Sequence, residues 1–70
     1  MSASVSIQFN GQTIDVPDQT SIRGLLELAE MRSKLVAVEV NGAIVPHEEF
    51  DAHLILENDV VEAVTVVGGG

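Results

Sequence analysis

Hydrophobic and polar residues alternate near the start of the chain, where Val5, Ile7 and Phe9 are separated by Ser4, Ser6, Gln8 and Asn10. A period of two is the mark of a strand with one buried face, so this segment predicts a first strand. Asn10-Gly11 follows, the dipeptide that best tolerates the paired positive φ angles of a type I′ turn, and Ile14 and Val16 resume the alternation. The second strand therefore pairs back on the first. Pro17 has no N–H to give a ladder and Asp18 favours a turn, which ends the hairpin.

The period then changes. Ile22, Leu25, Leu26 and Ala29 fall at i, i+3, i+4 and i+7, the apolar stripe of a helix, with Thr20 or Ser21 available as its cap. Arg23 precedes Glu27, and Glu30 precedes Lys34, by one helical turn, so a solvated opposite face is expected and an end near Met31–Lys34. Gly24 weakens the first turn unless another group packs closely against it.

Leu35 to Val40 is rich in β-branched residues and leads into Asn41-Gly42, with Ala43, Ile44 and Val45 as the return strand of a second hairpin. Pro46 closes that strand and can open a short helical turn through Phe50 as its first residue. Glu57-Asn58-Asp59 reads as a polar turn, and Val60 to Val67 as a last strand suited to the centre of a sheet.

Hairpin, helix, hairpin, short turn and strand make an α+β chain. One helix covers one face of one sheet, a right-handed crossover passes through it, and the last strand enters between the hairpins. The expectation is a β-grasp fold: a mixed five-stranded sheet with one main helix packed on one face. A ferredoxin-like fold needs a second full helix. Residues 1–67 are expected to form a single domain and residues 68–70 a flexible glycine tail.

Composition narrows what such a fold can do. With 70 residues the chain buries about 60% of its unfolded surface, which leaves little room for a deep cleft. No cysteine means no disulfide, no thiolate metal site and no side-chain thiol chemistry. A formal charge of −8 repels phosphate backbones and anionic lipid and suits a basic protein surface. No apolar run reaches the length of a membrane span, and the first residues lack a basic, apolar leader pattern, so a cytoplasmic protein with neither nucleic acid nor membrane as partner is expected.

Side-chain chemistry is sparse. The segment from His47 to His53 lacks the i, i+4 histidine pair of a zinc-binding helix, because position 51 is aspartate, and the two histidines read as neutral surface residues with no metal. Glu48, Glu49 and Asp51 read as charge for solubility or docking. Gly68-Gly69-Gly70 follows the β-branched run directly and forms a thin thread able to enter a narrow channel in another protein. A carboxylate on Gly70 is ionised at neutral pH and a poor electrophile, so it needs activation by a partner. On the last strand, Val61 and Ala63 facing the core would leave Glu62, Val64 and Val66 on the other face, a docking patch beside the tail.

Three segments, VEVNGAIVP at 38–46, ENDVVE at 57–62 and VVGGG at 66–70, resemble the small sulfur carriers of thiamine biosynthesis, the ThiS family, within the ubiquitin-like β-grasp superfamily. His47 replaces an arginine common after this proline, Phe50 stands where tryptophan is common, and Glu57-Asn58-Asp59 replaces an Asp-Gly-Asp-like turn. The resemblance implies a protein co-substrate rather than an enzyme, with no cofactor bound by itself. An E1-like adenylating enzyme would consume ATP to activate the carboxylate of Gly70, and a sulfur relay such as a cysteine desulfurase would convert it to a thiocarboxylate. Thiazole synthase would take the sulfur, with Gly68 and Gly69 as the thread through each partner's channel. Carriers for molybdopterin synthesis or another thiolation pathway, a ubiquitin-like modifier and a binding module with an inert tail stand as alternatives.

Overall fold

Both hairpins form where asparagine and glycine adopt the positive φ angles of type I′ turns. Asn10 (φ 50°) and Gly11 (φ 84°) join β1 (Ser4–Phe9) to β2 (Gln12–Pro17), and Asn41 (φ 53°) and Gly42 (φ 87°) join β3 (Val36–Val40) to β4 (Ala43–Val45). The structure, a computed structural model, describes residues 3–31 and 35–65. In the first hairpin the register runs from Ser4↔Pro17 to Phe9↔Gln12, and in the second from Val38↔Val45 to Val40↔Ala43. The last strand, β5 (Val60–Thr65), lies between them, parallel to β1 at Gln8↔Val60 and Phe9↔Val61 and antiparallel to β3 from Val36↔Thr65 to Val40↔Val61. The sheet order is β2-β1-β5-β3-β4, the mixed five-stranded arrangement expected.

Helix α1 spans Ile22–Leu28, and Ser21, not Thr20, is its cap: Ser21 Oγ accepts from the Gly24 N–H at 3.0 Å. The close neighbour at Gly24 is the residue before the cap, because a Cβ there would lie 3.2 Å from the Thr20 methyl. Two further N–H groups of the first turn find carbonyls in the segment after β4, Ile22 on His53 (2.9 Å) and Arg23 on Phe50 (3.0 Å).

The helix stops earlier than its stripe predicts. Glu30 takes φ 60°, its N–H reaches the Glu27 carbonyl and that of Met31 reaches Leu26 at 2.8 Å, a Schellman ending that turns the chain before Met31 can extend the helix. Glu30 is thus beyond the helix, and its expected pair with Lys34 lies outside the described residues. Arg23 reaches across to Asp51, Nε to Oδ1 at 2.9 Å.

One side of the sheet is covered. Ile7, Val16, Val38 and Val61 pack with Ile22, Leu25, Leu26, Ile55 and Phe50 in a continuous core. Phe50 is fully buried at the end of a 3-10 turn, His47–Glu49, so Pro46 stands just before that turn rather than as its first residue. His47 is not a bare surface histidine: its Nε2 lies 2.7 Å from the Val36 carbonyl and its ring packs on Phe50 at 4.8 Å. These departures from the family pattern therefore belong to packing. The other polar turn is equally structural. Asp59 is buried, and Glu57 Oε1 accepts from the Ser6 N–H at 2.9 Å. The expected boundary at residue 67, Val66 and Gly68-Gly69-Gly70 lie outside the described residues. Among those described, no helix is long and apolar enough to cross a membrane.

Candidate functional site

The uncovered face of the sheet divides into two halves of different chemistry. On β1 and β2 it presents Ser6, Gln8 and Thr13, which with Asn58 and Val60 border a shallow depression of about 140 Å³. On β3, β4 and β5 it presents Ala37, Glu39, Ile44, Glu62 and Val64 around an open hollow of about 80 Å³. Small-molecule sites usually enclose about 300–1,000 Å³, so neither hollow suits a cofactor. Among the described residues no cluster of histidine, aspartate and glutamate could hold a metal ion.

Strand period and register build the second half. Val61 and Ala63 point into the core, which turns Glu62 and Val64 outward as their spacing predicts. Antiparallel pairing then sets Ala37 opposite Val64, Glu39 opposite Glu62, and Ile44 opposite Glu39. Ile44 is 67% exposed and Val64 59%, so an apolar pair flanks two carboxylates that face each other across strands. Like charges in that relation destabilise a sheet unless something else compensates them. Sequence reasoning found Glu62 and Val64 but missed Ala37, Glu39 and Ile44. Their alternation was visible in β3 and β4, but their shared address depends on the β3–β5 register. Glu48 and Glu49 lie on the 3-10 turn, and Asp51 is held by Arg23, so these acids do not join the patch.

Comparison with known proteins places the chain in a family. The ThiS family profile matches residues 6–70. The chain belongs to the ThiS family. ThiS proteins are small sulfur carriers, and this chain is 34% identical over 65 residues to the sulfur carrier protein ThiS of Bacillus subtilis, covering 91% of this chain and 98% of that one. It is equally 34% identical over 67 residues to the uncharacterized protein ycf40 of Porphyra purpurea, covering 96% and 94% of the two chains. The crystal structure of ThiS from Geobacter metallireducens superposes with a TM-score of 0.81 at 29% identity, over 94% of this chain and all of that one. The ubiquitin-like β-grasp fold is thereby established. A ThiS-like stretch also occurs inside a larger chain: 66 residues of a thiazole synthase from Magnetococcus marinus are 33% identical to 94% of this chain and make up 20% of that protein.

Proposed function

We propose that this ThiS-family chain carries sulfur as a thiocarboxylate on Gly70 for building the thiazole ring of thiamine. Family membership carries the reading, because the matched region runs through Gly70 and two of the relatives that match along nearly their whole length are sulfur carrier proteins. The chemistry follows from the carboxylate. One of its oxygens attacks the α-phosphorus of ATP on an E1-like enzyme and pyrophosphate leaves. The terminal persulfide sulfur of a relay such as a cysteine desulfurase then displaces AMP, which takes one carboxylate oxygen with it, and a thiol reductant cleaves the resulting acyl disulfide to leave the thiocarboxylate and a disulfide. Oxygen is exchanged for sulfur without any catalytic group on this chain, so the protein is a co-substrate and not an enzyme.

Residues 1–67 would act as the handle and Gly68-Gly69 as the thread that enters the partner. Ala37, Ile44 and Val64, with Glu39, Glu62 and, in sequence, Val66, are the surface we assign to docking on the adenylating enzyme and on thiazole synthase. The Magnetococcus marinus chain supports the second partner, since a thiazole synthase there includes a stretch similar to this protein. Adenylation consumes ATP, and the compartment we propose is the cytoplasm.

Intact mass measured after incubation with an E1-like enzyme, ATP and a sulfur donor tests the reading. A shift equal to the replacement of one oxygen by sulfur is expected. An unchanged mass beside a control carrier that is modified would overturn it, and adducts on target lysines would favour a protein modifier.

A further inference from the structure

The parallel ladder between β1 and β5 should end where β1 turns into its hairpin, yet it continues for one more residue through a side chain. Gln8 N–H donates to the Asp59 carbonyl at 3.0 Å and Asn10 N–H to that of Val61 at 2.9 Å. In a regular parallel ladder the Asn10 carbonyl would next accept from Ala63 N–H, and a later N–H of the same strand would donate to the Ala63 carbonyl. The left-handed φ of Asn10 turns its backbone into the hairpin, away from β5. Its carboxamide takes over both bonds: Oδ1 accepts from Ala63 N–H at 2.8 Å and Nδ2 donates to the Ala63 carbonyl at 3.0 Å.

An amide side chain presents the same donor and acceptor as a peptide unit, which is why it can stand in for a missing strand. Asn41 makes the same substitution on the other hairpin, with Oδ1 accepting from Val60 N–H at 2.9 Å. The two differ in position along β5. Asn41 holds the strand where it enters the sheet, and Asn10 holds it at Ala63, on the way through Thr65 toward the glycines.

We infer that Asn10 is a positioning residue for tail delivery: its carboxamide grips both backbone groups of Ala63 and fixes the direction in which β5 leaves the sheet. The role rests on the carrier reading above, while the grip itself does not. A misdirected tail on a correctly docked domain slows the step that follows docking, so the loss belongs in kcat rather than KM.

Asn10→Gly removes the carboxamide and keeps a residue suited to a type I′ turn; Asn41→Gly does the same at the entry end and serves as the control for stability. Two measurements decide the matter, both under conditions where each variant is folded: amide exchange at Ala63, and the rate of modification by an E1-like enzyme with ATP and a sulfur donor. In Asn10→Gly, Ala63 exchange should rise and kcat fall, each by about thirtyfold, the value of two ordinary hydrogen bonds. Asn10→Asp keeps the acceptor for Ala63 N–H and loses the donor for its carbonyl, and should fall between. Asn41→Gly should speed exchange at Val60 and leave kcat near wild type. Unchanged Ala63 exchange in Asn10→Gly overturns the grip. An equal loss of kcat in Asn41→Gly, or a loss of Asn10→Gly confined to KM, overturns the positioning role. If the wild-type chain is not modified at all, the carrier reading falls and the positioning role with it, and Ala63 exchange still decides the grip.

Discussion

Asn41 Nδ2 donates to Asp59 Oδ1 at 2.9 Å, tying the turn of the second hairpin to the residue just before β5. The other oxygen of Asp59 accepts from the Leu56 N–H at 2.9 Å, so one buried carboxylate closes two loops at once. Asp59→Ala removes both bonds, and because hydrogen bonds to a charged group contribute about 1.5–3 kcal/mol each, a loss of about 2–3 kcal/mol is expected, a large part of what a domain of this size has. Urea denaturation should show a much lower midpoint with an unchanged slope. A midpoint shifted by no more than that of a surface variant would mean that water replaces the carboxylate freely.

Glu30 occupies the left-handed position of the helix ending at φ 60°, where glycine carries no Cβ penalty. Glu30→Gly should therefore stabilise the fold by about 0.5–1 kcal/mol, and a gain of about 1 kcal/mol corresponds to roughly 4–8 °C in the melting temperature. Thermal denaturation checks the sign. A lower melting temperature would show that backbone entropy in the unfolded chain outweighs relief at this residue.

The same residue shows where sequence reasoning stops. Period and turn chemistry located both hairpins, the helix and β5, because Asn-Gly pairs and apolar spacing act over a few residues. The helix end was not legible, since glutamate gives no sign of a left-handed conformation and the bond from Met31 to Leu26 decides it. Asp59 read only as a turn residue for a similar reason: its partners are Asn41, far away in sequence, and a backbone N–H. Of the docking surface, β5 alone could be read from its own alternation. Ile44 and Glu39 join it through strand pairing, which no local pattern records.

Glu39 and Glu62 face each other on the open side of the sheet, and Glu39→Lys would turn a repulsive cross-strand pair into an attractive one. The fold should gain about 0.2–1 kcal/mol as a result. Association with a basic partner surface should slow, most clearly at low salt, because the charge that steers the encounter has been reversed. Stability and association thus move in opposite directions. A faster association, measured by stopped-flow with the adenylating enzyme, would show that these acids do not guide docking.

Ile44 and Val64 are exposed, so aspartate at either site removes no core contact, and the cost should stay at about 1 kcal/mol, larger at position 44, where it faces Glu39 across strands. If the apolar half of the face docks the partner, Ile44→Asp and Val64→Asp should raise KM for modification severalfold, with kcat little altered. The denaturation midpoint serves as the control. Wild-type KM in both variants would move the docking surface to another part of the molecule.

Deletion of Gly70, or Gly69→Leu, addresses the tail without touching the described core. The deletion moves the reactive carboxylate back by one residue, and a chain of n residues spans at most about 3.3–3.6 Å × n, so the shortened tail falls short of the bound ATP by about that distance. Leucine at position 69 tests width instead, since a thread with a bulky side chain cannot enter a channel shaped for glycine. Both variants should keep the wild-type melting temperature and lose modification, because they alter reach or width and leave the handle intact. Near-normal modification of the deletion variant would show that the partner does not measure the tail, and the terminal glycines would then lose the role assigned to them.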